Sequence, residues 1–161
     1  MILIIGYGNS LRQDDGAGLI LADTLTQACQ ARNLPAKCIT THQLTPELAP
    51  TIATPETSAV VFVDTRVALP SENAPGVQIR TLIADTSSPS LGHHLTPETL
   101  LLYAQLLYSR QPAAWLVTVP GINFDHGEEL SELTKNALIT APIDQLLSEF
   151  EAVVQKIPTL Q

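Results

Sequence analysis

The chain begins Met1-Ile2-Leu3-Ile4-Ile5 and passes without a break into Gly6-Tyr7-Gly8-Asn9-Ser10-Leu11-Arg12-Gln13-Asp14-Asp15-Gly16-Ala17-Gly18. A short, uninterrupted apolar run closed by a glycine-rich turn is the pattern of a strand buried on both faces. Such a strand delivers its loop to the carboxyl edge of a parallel sheet, where open α/β sheets bind their ligands. The loop differs from a phosphate cradle, which presents bare backbone N–H groups and avoids negative charge. Leu11 stands where the third glycine of a dinucleotide fingerprint belongs, and no Lys follows in P-loop spacing. Two adjacent carboxylates would repel pyrophosphate, and they suit a metal ion better than an anion.

Further runs continue the pattern. Leu19, Ile20, Ala22, Leu25 and Ala28 recur at helical spacing to about Arg32, before Asn33-Leu34-Pro35 ends the helix. Lys37 to Gln43 reads as a second strand, and Thr45-Pro46-Glu47-Leu48 as a short helix with Thr45 as N-cap. Ser58 to Asp64 is a third strand, apolar until it ends in a carboxylate. Val77 to Leu82 alternates like an edge strand, and Thr96-Pro97-Glu98 opens a helix striped by Leu100, Leu101, Ala104, Leu107 and Tyr108. Ala114 to Val119 is another buried strand, Pro120 to Glu129 a loop, and Ser131 caps a helical region to about Lys156, broken near Pro142. The order predicts one α/β domain over residues 1–161: three layers, α/β/α, around a mostly parallel twisted sheet of about five strands.

Composition narrows the function. A formal net charge of −8 argues against nucleic acid as a partner, because that binding needs Lys and Arg against phosphates. No apolar stretch nears the ~20 residues of a membrane span, and the N-terminal run lacks the basic start of a signal peptide, so a cytoplasmic protein without membrane contact is expected. Cys29 and Cys38 read as small hydrophobes rather than a disulfide or a thiolate metal site. No Gly-x-Ser-x-Gly elbow is present.

The topology should gather Asn9, Asp14 and Asp15 after the first strand, Asp64 at the third, and the loop carrying His93 and His94 around one crevice. Carboxylates and an imidazole from separate segments make a plausible O,O,N metal site for Ni, Zn, Fe or Mn. Each residue also has a plainer role. Asp14 can cap the helix starting near Gly16, Asp15 can complement its dipole, and Asp64 can turn the chain. His93 and His94 can be surface residues, and His42 either a core-edge histidine or another polar contact.

In order along the chain, these segments resemble one family, the hydrogenase maturation proteases, which trim the C-terminus of nickel-iron hydrogenase large subunits. The resemblance lies in Gly6-x-Gly8-Asn9-x4-Asp14-Asp15-Gly16-x-Gly18, Val61-Phe62-Val63-Asp64, His93-His94-Leu95-Thr96-Pro97 and Gly127-Glu128-Glu129-Leu130-Ser131. It implies an endopeptidase of aspartic or metal-dependent type that acts on the large-subunit precursor, with nickel supplied by that substrate. By position it puts Asp15, Asp64 and His93 on the metal, with Asp15 and Asp64 catalytic. Gly6, Gly8, Asn9 and His42 are expected to meet the substrate, and Asp14 to hold the helix start. Thr41-His42-Gln43-Leu44-Thr45-Pro46 replaces the Gly-rich turn of many members and looks like the branch serving cofactor-reducing, bidirectional hydrogenases. Two competing functions are a non-catalytic nickel-binding chaperone of hydrogenase assembly and a small-molecule α/β enzyme with Asp64 as base.

Overall fold

Residues 1–84 and 95–154 are described by a computed structural model. Five strands form one sheet: β1 (Ile2–Tyr7), β2 (Ala36–Thr41), β3 (Ala59–Val67), β4 (Gln78–Leu82) and β5 (Ala113–Gly121). They lie in the order β2-β1-β3-β5-β4. The first four in that row run parallel, and β4 closes the edge antiparallel to β5. The three-layer α/β/α expectation holds, including the alternating edge strand.

The Ile, Leu, Val and Phe runs place apolar side chains on both faces, and each face has its own cover. Ile2, Ile4, Val61, Val63 and Val117 pack beneath α1 (Ala17–Ala31), α4 (Glu132–Ile139) and α5 (Ile143–Val154). Trp115 meets Phe150 of α5 at a ring-centroid distance of 5.2 Å and a tilt of 55°, an edge-biased aromatic contact that docks the last helix. On the opposite face Leu3, Ile5, Val60 and Phe62 pack under α2 (Leu48–Ile52) and α3 (Pro97–Tyr108). Pro142 separates α4 from α5, as a residue without an N–H donor should.

Capping follows the sequence at two helices and departs from it at a third. Thr96 caps α3, accepting from Thr99 N at 3.2 Å, and Ser131 caps α4, accepting from Thr134 N at 3.3 Å. Thr45 does not cap α2. That helix starts at Leu48 with Glu47 in the cap position and no side-chain cap bond, and Thr45-Pro46 form a preceding turn. β3 also runs past Asp64 to Val67. Thr65 and Arg66 end the apolar run but still pair with Val119 and Pro120, so Asp64 lies within the strand rather than at its tip. Both cysteines are free thiols.

Candidate functional site

Tyr7 ends β1, and the chain then turns under tight steric control. Gly8 has φ +142°, and a Cβ there would lie 2.1 Å from the carbonyl oxygen of Asp15. Only glycine fits so close an approach. The Asn9 amide donates to Asp15 Oδ2 at 2.9 Å, while the Asn9 side-chain oxygen accepts from Leu11 N at 2.9 Å. The loop therefore fixes one oxygen of Asp15 from behind.

The second carboxylate comes from β3. Asp64 stands in register with Thr118 of β5, and its Oδ1 accepts from Thr65 N at 2.7 Å. Gly18 of α1 seats directly on this stretch. A Cβ at Gly18 would come within 3.0 Å of Asp64 Cα and of Val63 O, and the Gly18 amide donates to Thr65 Oγ1 at 3.1 Å. Burial pushes the Asp64 carboxyl up to about 6; hydrogen bonds from Thr65 N–H and from the Tyr7 hydroxyl pull it back, and the charge of Asp15 raises it further. Burial also drives the Tyr7 phenol far above its ordinary range, with Asp64 adding to the effect, so Tyr7 is a donor at neutral pH.

Asp15 and Asp64 both line one cleft of about 820 Å³, together with Tyr7, Gly8, His42 and Glu98. The cleft lies at the carboxyl end of the parallel strands, where the sequence pattern places the ligand site. Among the described residues no three His, Cys, Asp or Glu side chains are grouped to hold a metal ion. Two carboxylates from separate elements suit such an ion as part of a larger donor set. The candidate ligand His93, and its neighbour His94, lie outside the described residues.

Two residues expected at the substrate have other geometry. Gly6 is buried against α1, where a Cβ would meet that of Ala22 at 2.6 Å, so its glycine serves helix–strand packing. Asn9 shapes the loop through the two bonds above, and neither residue lines the cleft.

Asp14 is also corrected. It does not cap α1, whose N-cap is Gly16 with no side-chain bond. Its fully buried carboxylate reaches across the chain: Oδ2 accepts from Ile122 N and Asn123 N, both at 2.9 Å, and from Ser131 Oγ at 2.8 Å. Oδ1 accepts from Ser131 N at 2.7 Å. Burial alone would raise this carboxyl, but the hydrogen bonds from Ile122, Ser131 and Asn123 outweigh it and hold the group below the ordinary range. Asp14 thus joins the first loop to the segment after β5 and to the start of α4. The sequence reading also missed Tyr7. Its only signal was that it falls two residues after Ile5, on the face that later carries Asp64.

The architecture has known counterparts. The chain has the fold of the hydrogenase maturation proteases. It is similar to HybD of E. coli, a hydrogenase maturating endopeptidase, at a TM-score of 0.65 and 18% identity, over 94% of this chain and 92% of that one. The [NiFe] hydrogenase maturation protease HycI of Thermococcus kodakarensis gives 0.61 and 21%, over 96% and 92%. A hydrogenase 2 maturation peptidase of Thaumarchaeota archaeon SCGC_AB-539-E09 gives 0.59 and 22%, over 92% and 97%. No family model matches the chain. No curated protein matches it either. At these identities the likeness is one of fold. Among the described residues, no helix is long and apolar enough to cross a membrane.

Proposed function

We propose that this protein is an endopeptidase that removes the C-terminal extension of a nickel-iron hydrogenase large-subunit precursor after nickel has been inserted. The observation that carries the reading is the convergence of Asp15 and Asp64, from the first loop and from β3, on one cleft. A fold shared with structures described as maturation proteases supports it. Nickel in this account belongs to the substrate, and its positive charge would polarise the scissile carbonyl.

The chain's own residues then have distinct tasks. Asp15, with one oxygen already bound to the Asn9 amide, presents the other to the substrate's metal. Asp64, oriented by Tyr7, joins Asp15 at the metal and is the carboxyl placed to exchange a proton as the peptide bond is cut. His93 completes the proposed ligand set, and His42, which lines the cleft, contacts the peptide. The Thr41–Pro46 segment suits a precursor of the cofactor-reducing, bidirectional branch. The setting is the cytoplasm.

Processing of nickel-loaded precursor, read as a mobility shift on a denaturing gel, tests the proposal. Wild type should shorten the precursor, and Asp15→Ala, Asp64→Ala and His93→Ala should not. Wild type that binds the loaded precursor and never shortens it would establish a chaperone instead.

A further inference from the structure

The cleft does not stop at the carboxylates. On the sheet face that carries Asp64, the register sets Asp64, Thr118 and Gln78 in one row across β3, β5 and β4. Two residues along, Leu116 and Arg80 form the next row, and Arg66 follows Asp64 on β3. Among the described residues this part of the face is uncovered: Leu116 and Thr118 are half-buried although β5 is an internal strand, and Gln78 and Arg80 are exposed. A recess of about 200 Å³ lies here, lined by Arg66, Gln78, Ile79, Arg80, Leu116 and Thr118. It shares Arg80 and Leu116 with the cleft that holds Asp15 and Asp64.

The chemistry of the recess is opposite to that of the cleft. Among the described residues its lining has two guanidinium groups, an amide and a hydroxyl, and no carboxylate, in a chain whose formal net charge is −8. Each arginine is steadied from outside the recess. Arg66 forms a two-pronged pair with Glu72, Nη1 to Oε1 at 2.6 Å and Nη2 to Oε2 at 2.7 Å. Arg80 meets Glu98 Oε1 through Nη2 at 2.7 Å, with its side chain still 57% exposed. Neither glutamate lines the recess. A guanidinium held by one carboxylate through a single nitrogen and still largely exposed, as that of Arg80 is, can offer its other N–H groups to a second carboxylate.

We propose that this recess is a carboxylate-binding subsite that anchors the extended substrate peptide at a fixed distance from the cleaved bond. The inference rests on the cleft being where the peptide is cut. With strands ~4.8 Å apart and ~3.4 Å per residue along them, Arg80 Cα lies roughly 12 Å from Asp64 Cα. An extended peptide covers that distance in about three to four residues. The carboxylate comes from an acidic side chain at that spacing or from the free end of the peptide. Arg80 is the specificity-determining residue, and Arg66, clamped by Glu72, builds the wall.

Binding of short fluorescent peptides to the full chain, followed by anisotropy, tests this. One arm walks a single Asp through an otherwise neutral peptide with an amidated C-terminus. The other uses neutral peptides of increasing length ending in a free carboxylate. Wild type should bind the best member of one arm roughly tenfold tighter than the neutral, amidated peptide. The arm that responds identifies the carboxylate's source. Arg80→Gln should erase the preference, Arg80→Lys should restore part of it, and Gln78→Glu should abolish it by charging the recess, with folding of each checked by circular dichroism. A flat response in both arms, or a preference that survives Arg80→Gln and Gln78→Glu, overturns the subsite. Gel processing of the precursor is scored separately. Trimming with a flat response rejects the subsite alone, whereas a carboxylate preference without trimming rejects the cleavage reading and keeps the subsite.

Discussion

The Asp14 carboxylate holds both the backbone amide and the hydroxyl of Ser131, at 2.7 and 2.8 Å, across 117 positions of sequence. Ser131 in turn caps α4, and the same carboxylate takes the amides of Ile122 and Asn123. One buried side chain thereby sets the height of three segments at the carboxyl edge, next to the residue that faces the cleft.

Asp14→Ala should be among the more destabilising single changes, by about 3 kcal/mol, because it leaves three part-buried N–H groups and the Ser131 hydroxyl without their acceptor. Asp14→Asn, which keeps one acceptor oxygen, should lose less. Urea unfolding followed by Trp115 fluorescence measures both. A loss below ~1 kcal/mol for Asp14→Ala would mean that water replaces the carboxylate.

The carboxyls of Asp14 and Asp64 should pull stability in opposite directions with pH. Asp14 is held below the ordinary range when folded, so its contribution is present above the unfolded value near ~4 and disappears as pH falls through the depressed native value. Asp64 is raised to about 6 when folded, so its contribution is complete below the unfolded value and is lost as pH rises through about 6. Urea midpoints across pH 3 to 8 should show the acid-side loss diminish in Asp14→Asn and the loss near pH ~6 diminish in Asp64→Asn. Unchanged pH profiles in both variants would contradict these assignments.

The neighbours of Asp64 should move its titration in opposite senses. The Tyr7 hydrogen bond lowers the Asp64 pKa and the Asp15 charge raises it. Tyr7→Phe should therefore move the midpoint above about 6, and Asp15→Asn should move it down. Carbon-detected NMR of the Asp64 carboxyl reads this directly, and a shared direction in the two variants would refute the local geometry.

Glycine substitutions at the two tight approaches should disable the site by different routes. Gly8→Ala sets a Cβ against the Asp15 carbonyl in a backbone conformation that suits glycine, so it should cost at least ~2 kcal/mol and displace Asp15. Gly18→Ala should lift α1 from β3 beside Asp64. Thermal melts paired with precursor processing separate the effects. Full processing by Gly8→Ala would show that Asp15 is not held by this contact.

The fold was legible because its strands are apolar runs and its helices carry local punctuation. Pro142 splits the last helical region and Thr96-Pro97 begins α3, both through interactions within a few residues. The errors arose where distance in sequence mattered. Asp14 sits one turn before α1 and fits a cap, yet its partners lie more than a hundred residues on. Gly6 sits in a motif that suggests ligand approach, and only the packing of Ala22 reveals its use. The end of β3 was hidden because Thr65 and Arg66 are polar for tertiary reasons, one holding Gly18 and the other Glu72. Asp15 and Asp64 were legible as cleft residues because sheet topology sends those segments to one edge.

In the proposed reaction Asp15 and Asp64 act together on a nickel-loaded precursor. Its most direct measurement is a time course of precursor shortening by wild type, Asp15→Asn and Asp64→Asn, each with nickel-loaded and nickel-free precursor. Shortening is expected only with wild type and only with nickel present. Equal shortening of nickel-free precursor, or wild-type rates in both variants, would contradict it.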